Sequence, residues 1–306
     1  MQFNMNFDKN QTFEITRIQI ELIPENKMLK PYEHPFAYVF RGAIMRWLHE
    51  KYPKMVHQLH DFDKIRPFSI NCIIDNEIPK IDFILTCYDD ELEKIFLERF
   101  KEDNQKFLHL GEKKYIISNV IVEKKNLLEF IVNSNPVISF AIKFITPTCF
   151  NTSLGDYSLR FPFPSVLFGN LINIWNMLAH SSATINEVEL INWVNAHVYV
   201  SYYKMRTVKR NIDESKPIYG GIGDVSYRVT QINKFYYSKN KKDEILKTTS
   251  NYLIEKNYIE KCKWIEILCR LGEFTNVGSN RTAGMGVIRY YPREYLDLNK
   301  KNLNKF

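Results

Sequence analysis

The chain nears its end with FTNVGSNRTAGMGVIRY, residues Phe274–Tyr290. Glycines fall at Gly278, Gly284 and Gly286, with Asn280, Arg281 and Thr282 between them and an alternating apolar run behind. Glycine lets main-chain N–H groups come close to an anion, and a guanidinium adds a charge-assisted contact. The stretch reads as a phosphate cradle, with a glycine-eased turn between a helix and a closing strand as the alternative. It is not a Walker A loop, which ends in Gly-Lys-Ser/Thr ahead of a helix. It is not G-x-G-x-x-G after a strand either.

Two other stretches could do chemistry. In QLHDFDKIRPFS (Gln58–Ser69), His60 is followed by Lys64 and Arg66. An imidazole titrates near neutrality, which suits general acid or base work. The alternative is a surface histidine favoured by the negative end of a helix dipole, followed by solvated charges. In YYKMRTVKR (Tyr202–Arg210), strand alternation puts Lys204, Arg206 and Arg210 on one face, and Tyr203 and Lys209 on the other. A basic strand face can grip nucleic-acid phosphates, or it can be an ordinary exposed hairpin. On an earlier helix pattern, Arg41 and Arg46 flank Met45.

The elements that must position these residues follow from periodicity. FEITRIQIELIP (Phe13–Pro24) alternates as a strand, and apolar residues recur at helical spacing through Tyr32–Tyr52, which Pro53 closes. PFSINCII and IDFILTCY read as two strands, DDELEKIFLERFKED as a helix with acidic residues at its positive end, and KYIISNVIVEK as a strand. The order is β-α-β-β-α-β, a ferredoxin-like unit. The pattern then starts again. ISFAIKFITP is a strand, PSVLFGNLINIWNMLAH a helix that NEVELINWVNAH extends, and Val198–Arg210 with Gly220–Ile232 a hairpin. A helix ending at Gly272 and the strand MGVIRYY complete it. The expected fold is α+β: two tandem ferredoxin-like (RRM-like) domains, 1–135 and 136–306, each with an antiparallel sheet and helices on one face.

Bulk composition sets limits. The 306 residues are 45% hydrophobic, which excludes disorder as the reading. Lys plus Arg is 42 and Asp plus Glu is 35, a net charge of +7 that permits a polyanionic partner without requiring one. Five cysteines with no C-x-x-C argue against a disulfide framework or a zinc site. No apolar run approaches the ~18 residues of a membrane span. A cytoplasmic protein with reduced thiols, no metal and no cofactor is expected.

These motifs, in this order, resemble the CRISPR-associated repeat-RNA endoribonucleases of the "Cas six" type in the RAMP superfamily. The glycine loop sits between the last helix and last strand of the second unit, as in that family. TPTCFNTSLGDYSLRFPFPSVLFGNLINIWN (Thr146–Asn176) resembles the stretch opening the family's second domain, and GGIGDVSYRV (Gly220–Val229) its central hairpin strand. HPFAYVFRGAIMRWL with HQLHDFDKIRPFSIN resembles the first helix and active-site loop. The resemblance implies cleavage of precursor CRISPR RNA by attack of a ribose 2′-OH, without metal, leaving a 2′,3′-cyclic phosphate and a 5′-OH. It implies that His60 is the catalytic histidine and that Arg66 or Lys64 stabilises the transition state. It further implies that Arg41, Lys204, Arg206, Lys209, Arg210, Gly278, Asn280, Arg281, Gly284 and Gly286 bind RNA. Some relatives place a tyrosine four positions after Arg41; here that residue is Met45, which cannot transfer a proton, and His57 or His49 is a candidate substitute. The implied partners are repeat RNA and other CRISPR effector subunits, with the protein a monomer or homodimer. A non-catalytic RNA-binding member of the same superfamily is the alternative.

Overall fold

The computed structural model describes residues 14–25, 36–60, 66–75, 78–85, 90–101, 107–151, 157–179, 183–213, 216–230 and 244–297. Lys64 lies outside them, as do the side chains of His57 and His60.

The first half contains β1 (Glu14–Pro24), α1 (Phe36–Lys51), α2 (Pro53–His60), β2 (Phe68–Asp75), β3 (Ile78–Leu85), α3 (Asp90–Lys101), β4 (Phe107–Leu110) and β5 (Lys113–Asn126). Its antiparallel sheet has the order β2-β3-β1-β5-β4. Without β4 this is the ferredoxin-like order, in which the first strand sits centrally. Strand β4 is an addition, paired to β5 through a turn at Gly111. Ile18, Ile20 and Leu22 of β1 alternate inward against Phe40, Ile44 and Leu48 of α1, Val56 and Leu59 of α2, and Phe96 of α3. Pro53 does two things: it stops α1 and opens α2, where its missing N–H costs nothing.

Helix α4 (Leu127–Val132) links the halves. A capping box opens it: the Asn126 side chain accepts from the Leu128 N–H at 2.8 Å, and Glu129 reaches back to the Asn126 N–H. Leu127, Phe130 and Ile131 join the core of the second half, so the chain has already crossed over when β5 ends.

The second half contains β6 (Val137–Thr148), the short pair β7 (Phe150–Asn151) and β8 (Ser158–Leu159), α5 (Pro164–Leu178), α6 (Glu187–His197), β9 (Val198–Asp213), β10 (Lys216–Val229), α7 (Glu244–Thr275) and β11 (Ile288–Tyr295). The main sheet has the order β11-β6-β10-β9, all antiparallel, which repeats the ferredoxin-like arrangement. Its core packs Phe140, Ile142, Val225 and Tyr227 against Leu167, Leu171 and Trp175 of α5 and Ile265, Leu268 and Cys269 of α7. Helix α6 is a separate element rather than an extension of α5. Asn186 caps it, accepting from the Glu189 N–H at 3.2 Å. The fold is α+β with two tandem ferredoxin-like units, as expected. Among the described residues no helix is long and apolar enough to cross a membrane.

Candidate active site and nucleic-acid interface

The glycine loop lies between the two halves. Leaving α7, the chain passes through left-handed conformations at Asn276, Gly278 and Asn280, a 3₁₀ turn at Arg281–Ala283, and left-handed glycines at 284 and 286. Two of the glycines are required by close approach as well as by φ. A Cβ on Gly286 would run into the Val277 carbonyl, and one on Gly284 would collide with Ala37 of α1. Loop and N-terminal half are therefore in direct contact, and the 3₁₀ turn packs on both α1 and β2.

That placement changes the reading of Arg281. It was expected to reach an RNA phosphate, but it is 6% exposed. Its Nη1 donates to the Thr275 carbonyl at 2.8 Å and its Nη2 to the Arg66 carbonyl at 3.1 Å. Burial alone holds its pKa down, at about 10. The glycine N–H groups are engaged inside the protein too. Gly278 donates to Asn170 Oδ1 at 2.8 Å, Gly284 to the Arg281 carbonyl at 3.2 Å and Gly286 to the Pro147 carbonyl at 3.2 Å. In this structure Gly278, Arg281, Gly284 and Gly286 form a buried joint rather than an open phosphate cradle. Asn280 and Ser279 are the half-buried residues of the turn. The physical reason is packing: the N-terminal half closes over the loop, and no sequence period encodes that contact.

Arg66 links the joint to the helix that carries His60. Its Nε donates to the Leu59 carbonyl at 3.2 Å, one residue before the end of α2. Its Nη1 donates to Thr282 Oγ1 at 3.1 Å. Its own carbonyl accepts from Arg281. A third hydrogen bond crosses the seam where Asn276 Nδ2 donates to the Ile70 carbonyl at 3.0 Å. Arg66 thus holds a helix terminus whose last carbonyls lack intrahelical partners, and it is tied to the C-terminal half twice. Thr282, Thr275 and Asn276 are parts of this arrangement that sequence reasoning did not single out. Nothing in their type or spacing marks them.

Arg41 lies on the neighbouring stretch of α1, half-buried. Its pKa is lowered to about 10, by burial first and then by the like charge of Arg66, with Tyr38 offsetting part of the effect. Burial also holds Arg66 below its ordinary value. The Arg66 charge is thus felt at Arg41, and Arg66 itself sits on the Leu59 carbonyl near the end of α2. Met45, four residues on, packs against the first core and supplies no proton.

The β9/β10 hairpin reaches the same place. Cross-strand register pairs Lys204 with Asp224, Arg206 with Ile222 and Arg210 with Ile218, so Lys204, Arg206 and Arg210 share a face as expected. Tyr203 and Lys209 lie on the other face, and all five side chains are exposed. Ile218, the partner of Arg210, packs against the Ala283 and Met285 cluster of the glycine loop, as does Tyr38 of α1. The basic face of β9 therefore runs from the hairpin to the seam where Arg41 and Arg66 stand.

Comparison with known proteins agrees with this architecture. Residues 142–288 match the family model of CRISPR-associated endoribonuclease Cas6. The chain is 24% identical over 272 residues to a CRISPR-associated endoribonuclease Cas6 from Streptococcus thermophilus, covering 87% of this chain and 96% of that one. Its fold resembles Thermus thermophilus Cas6 with a TM-score of 0.62 at 18% identity, over 90% of this chain and 98% of the other. A Cas6 product complex aligns with a TM-score of 0.68 at 18% identity, over 90% and 99% of the two chains. By matched family model, near-full-length relative and shared fold, the chain is similar to CRISPR-associated endoribonucleases of the Cas6 type.

Proposed function

We propose that this protein is a metal-independent endoribonuclease that binds CRISPR repeat RNA and cuts precursor CRISPR RNA. The ribose 2′-OH upstream of the scissile bond attacks the adjacent phosphate. A 2′,3′-cyclic phosphate forms on the upstream fragment and the 5′-oxygen departs as a hydroxyl. The nucleophile is already tethered to the phosphate, so no bound ion is needed to generate it. The protein's tasks are to move protons, hold the strand in line and offset charge on the phosphorane.

The observation that carries the reading is Arg66, hydrogen-bonded to the Leu59 carbonyl at the end of α2, the helix on which His60 stands, with Arg41 of α1 within reach of its charge. A phosphate placed there would relieve their mutual repulsion. In this reading His60 exchanges the protons, and Arg41 with Arg66 or Lys64 neutralises the phosphorane. Lys204, Arg206 and Arg210 hold the RNA backbone leading to the seam. Arg281 acts at one remove, by fixing the Arg66 backbone.

Met45 favours one rival reading, an RNA-binding member without chemistry, because the position offers no acid or base. The deciding experiment is incubation with repeat RNA in EDTA, with mapping of product ends. Cutting that leaves a cyclic phosphate supports the nuclease, and binding without cutting supports the rival.

A further inference from the structure

The face of the β9/β10 hairpin turned away from Lys204, Arg206 and Arg210 carries an aromatic cluster. Phe163 and Tyr203 are 49% and 61% exposed and, through Phe161, form one contiguous aromatic patch. Phe161 lies edge-on to both, with centroids 4.9 Å from Phe163 and 5.2 Å from Tyr203. Beside them the Arg160 guanidinium sits 5.1 Å over the ring of Tyr219, itself 41% exposed. Lys209 is the cross-strand partner of Tyr219 and shares its face.

The cluster is held rigidly. The Arg160 carbonyl rests on Gly221 of β10, where any Cβ would displace it. Tyr227 Oη donates to the Pro162 carbonyl at 2.8 Å from inside the core. Pro164 then fixes the start of α5. The exposed rings are thus anchored by main-chain contacts on both sides.

We infer that this cluster is a stacking site for unpaired nucleotides flanking the RNA element held on the opposite face of the hairpin. The inference rests on the RNA-binding reading above. Exposed rings accept bases of any sequence, while Arg160 and Lys209 match the phosphates between them. Arg160 and Lys209 give the cluster two cations, which fits a polyanion. Strand β9 is the edge of its sheet. A strand of RNA leaving the basic face has only that edge to round before it meets Tyr203.

The test compares a CRISPR repeat RNA hairpin with the same hairpin extended by about eight unpaired uridines at either end, a length within the usual site size of such platforms. Tyr203→Leu and Phe163→Leu should weaken binding of one extended RNA by about 5- to 100-fold, the scale of losing one stacked base. Binding of the bare hairpin should change less than about twofold. Tyr203→Phe, which keeps the ring, should bind like wild type, and abasic sites in the extension should reproduce the loss. Unchanged melting of each variant confirms folding. If the leucine variants bind extended and bare RNA with the same affinity ratio as wild type, the stacking site is wrong while the nuclease reading stands. If wild type binds neither RNA, the nuclease reading itself falls.

Discussion

Arg281 donates to the backbone carbonyl of Arg66, a contact that spans 215 residues of sequence. Arg66 in turn donates to the Leu59 carbonyl at the end of α2 and to Thr282 in the same turn as Arg281. A closed circuit of hydrogen bonds thus joins the glycine loop of one ferredoxin-like unit to the helix end of the other. Each bond has a charged donor and is worth about 1.5–3 kcal/mol in net stability. Its larger effect is geometric, because it fixes where α2 stops.

The circuit can be tested at Thr282, which is 2% exposed and so touches no RNA. Thr282→Val keeps the shape and removes the acceptor of Arg66. Single-turnover cleavage should fall by about 10- to 100-fold, the cost of a small misplacement at a reacting centre, with RNA affinity nearly unchanged. Thr282→Ser should restore the rate. In an Arg66→Ala background, Thr282→Val should add nothing further. Additive losses would mean the two residues act separately.

His60→Ala should slow cleavage by about two to four orders of magnitude, the scale of general acid-base groups, with RNA binding intact. Comparing Lys64→Ala with Arg66→Ala at equal RNA occupancy tells which cation faces the phosphorane. Wild-type cleavage by the His60 variant would pass the role to His57.

Much of the fold was legible in sequence. Strand alternation from Glu14 to Pro24 and helical spacing around Phe40 and Ile44 each reflect one buried face, and the two strand orders follow from those elements. Strand β4 was not legible, since four residues at an edge leave little period. The face division of β9 was legible, because alternation alone sets it. The role of Arg281 was not. A cation between glycines looks the same whether it meets a phosphate or two carbonyls, and only the packing of α1 and β2 over the loop decides.

Salt dependence should separate the two kinds of arginine. Arg206 is exposed on the basic face of β9, so Arg206→Ala should weaken RNA binding and lower the slope of log affinity against log salt by about one. Arg281→Met should leave that slope unchanged. A lost unit of slope in the Arg281 variant would return Arg281 to the phosphate contacts.

Cleavage should proceed at full rate in EDTA, and replacing the 2′-OH upstream of the cut by hydrogen should abolish it. Efficient cutting of that deoxy substrate would require a water nucleophile and a different mechanism.

Arg41 yields a prediction of opposite sign for stability and function. Its pKa in the folded protein, about 10, lies below the ordinary guanidinium value, because burial and Arg66 both disfavour the charge. The unfolded chain therefore binds the proton more tightly, and stability due to this group rises as pH climbs from about 10 toward the ordinary guanidinium value. Below that window, including neutral pH, the cost of the charge is fully present. Arg41→Met removes the charge and keeps much of the apolar stem, so the free protein should gain about 1 kcal/mol, roughly 2–4 °C in Tm. RNA binding should weaken in the same variant, because the charge that burdens the fold is the one offered to the phosphate. Inorganic phosphate should raise the Tm of wild type more than that of Arg41→Met. A variant that is less stable than wild type at pH 7, or equally stabilised by phosphate, would show that Arg41 is already satisfied within the protein.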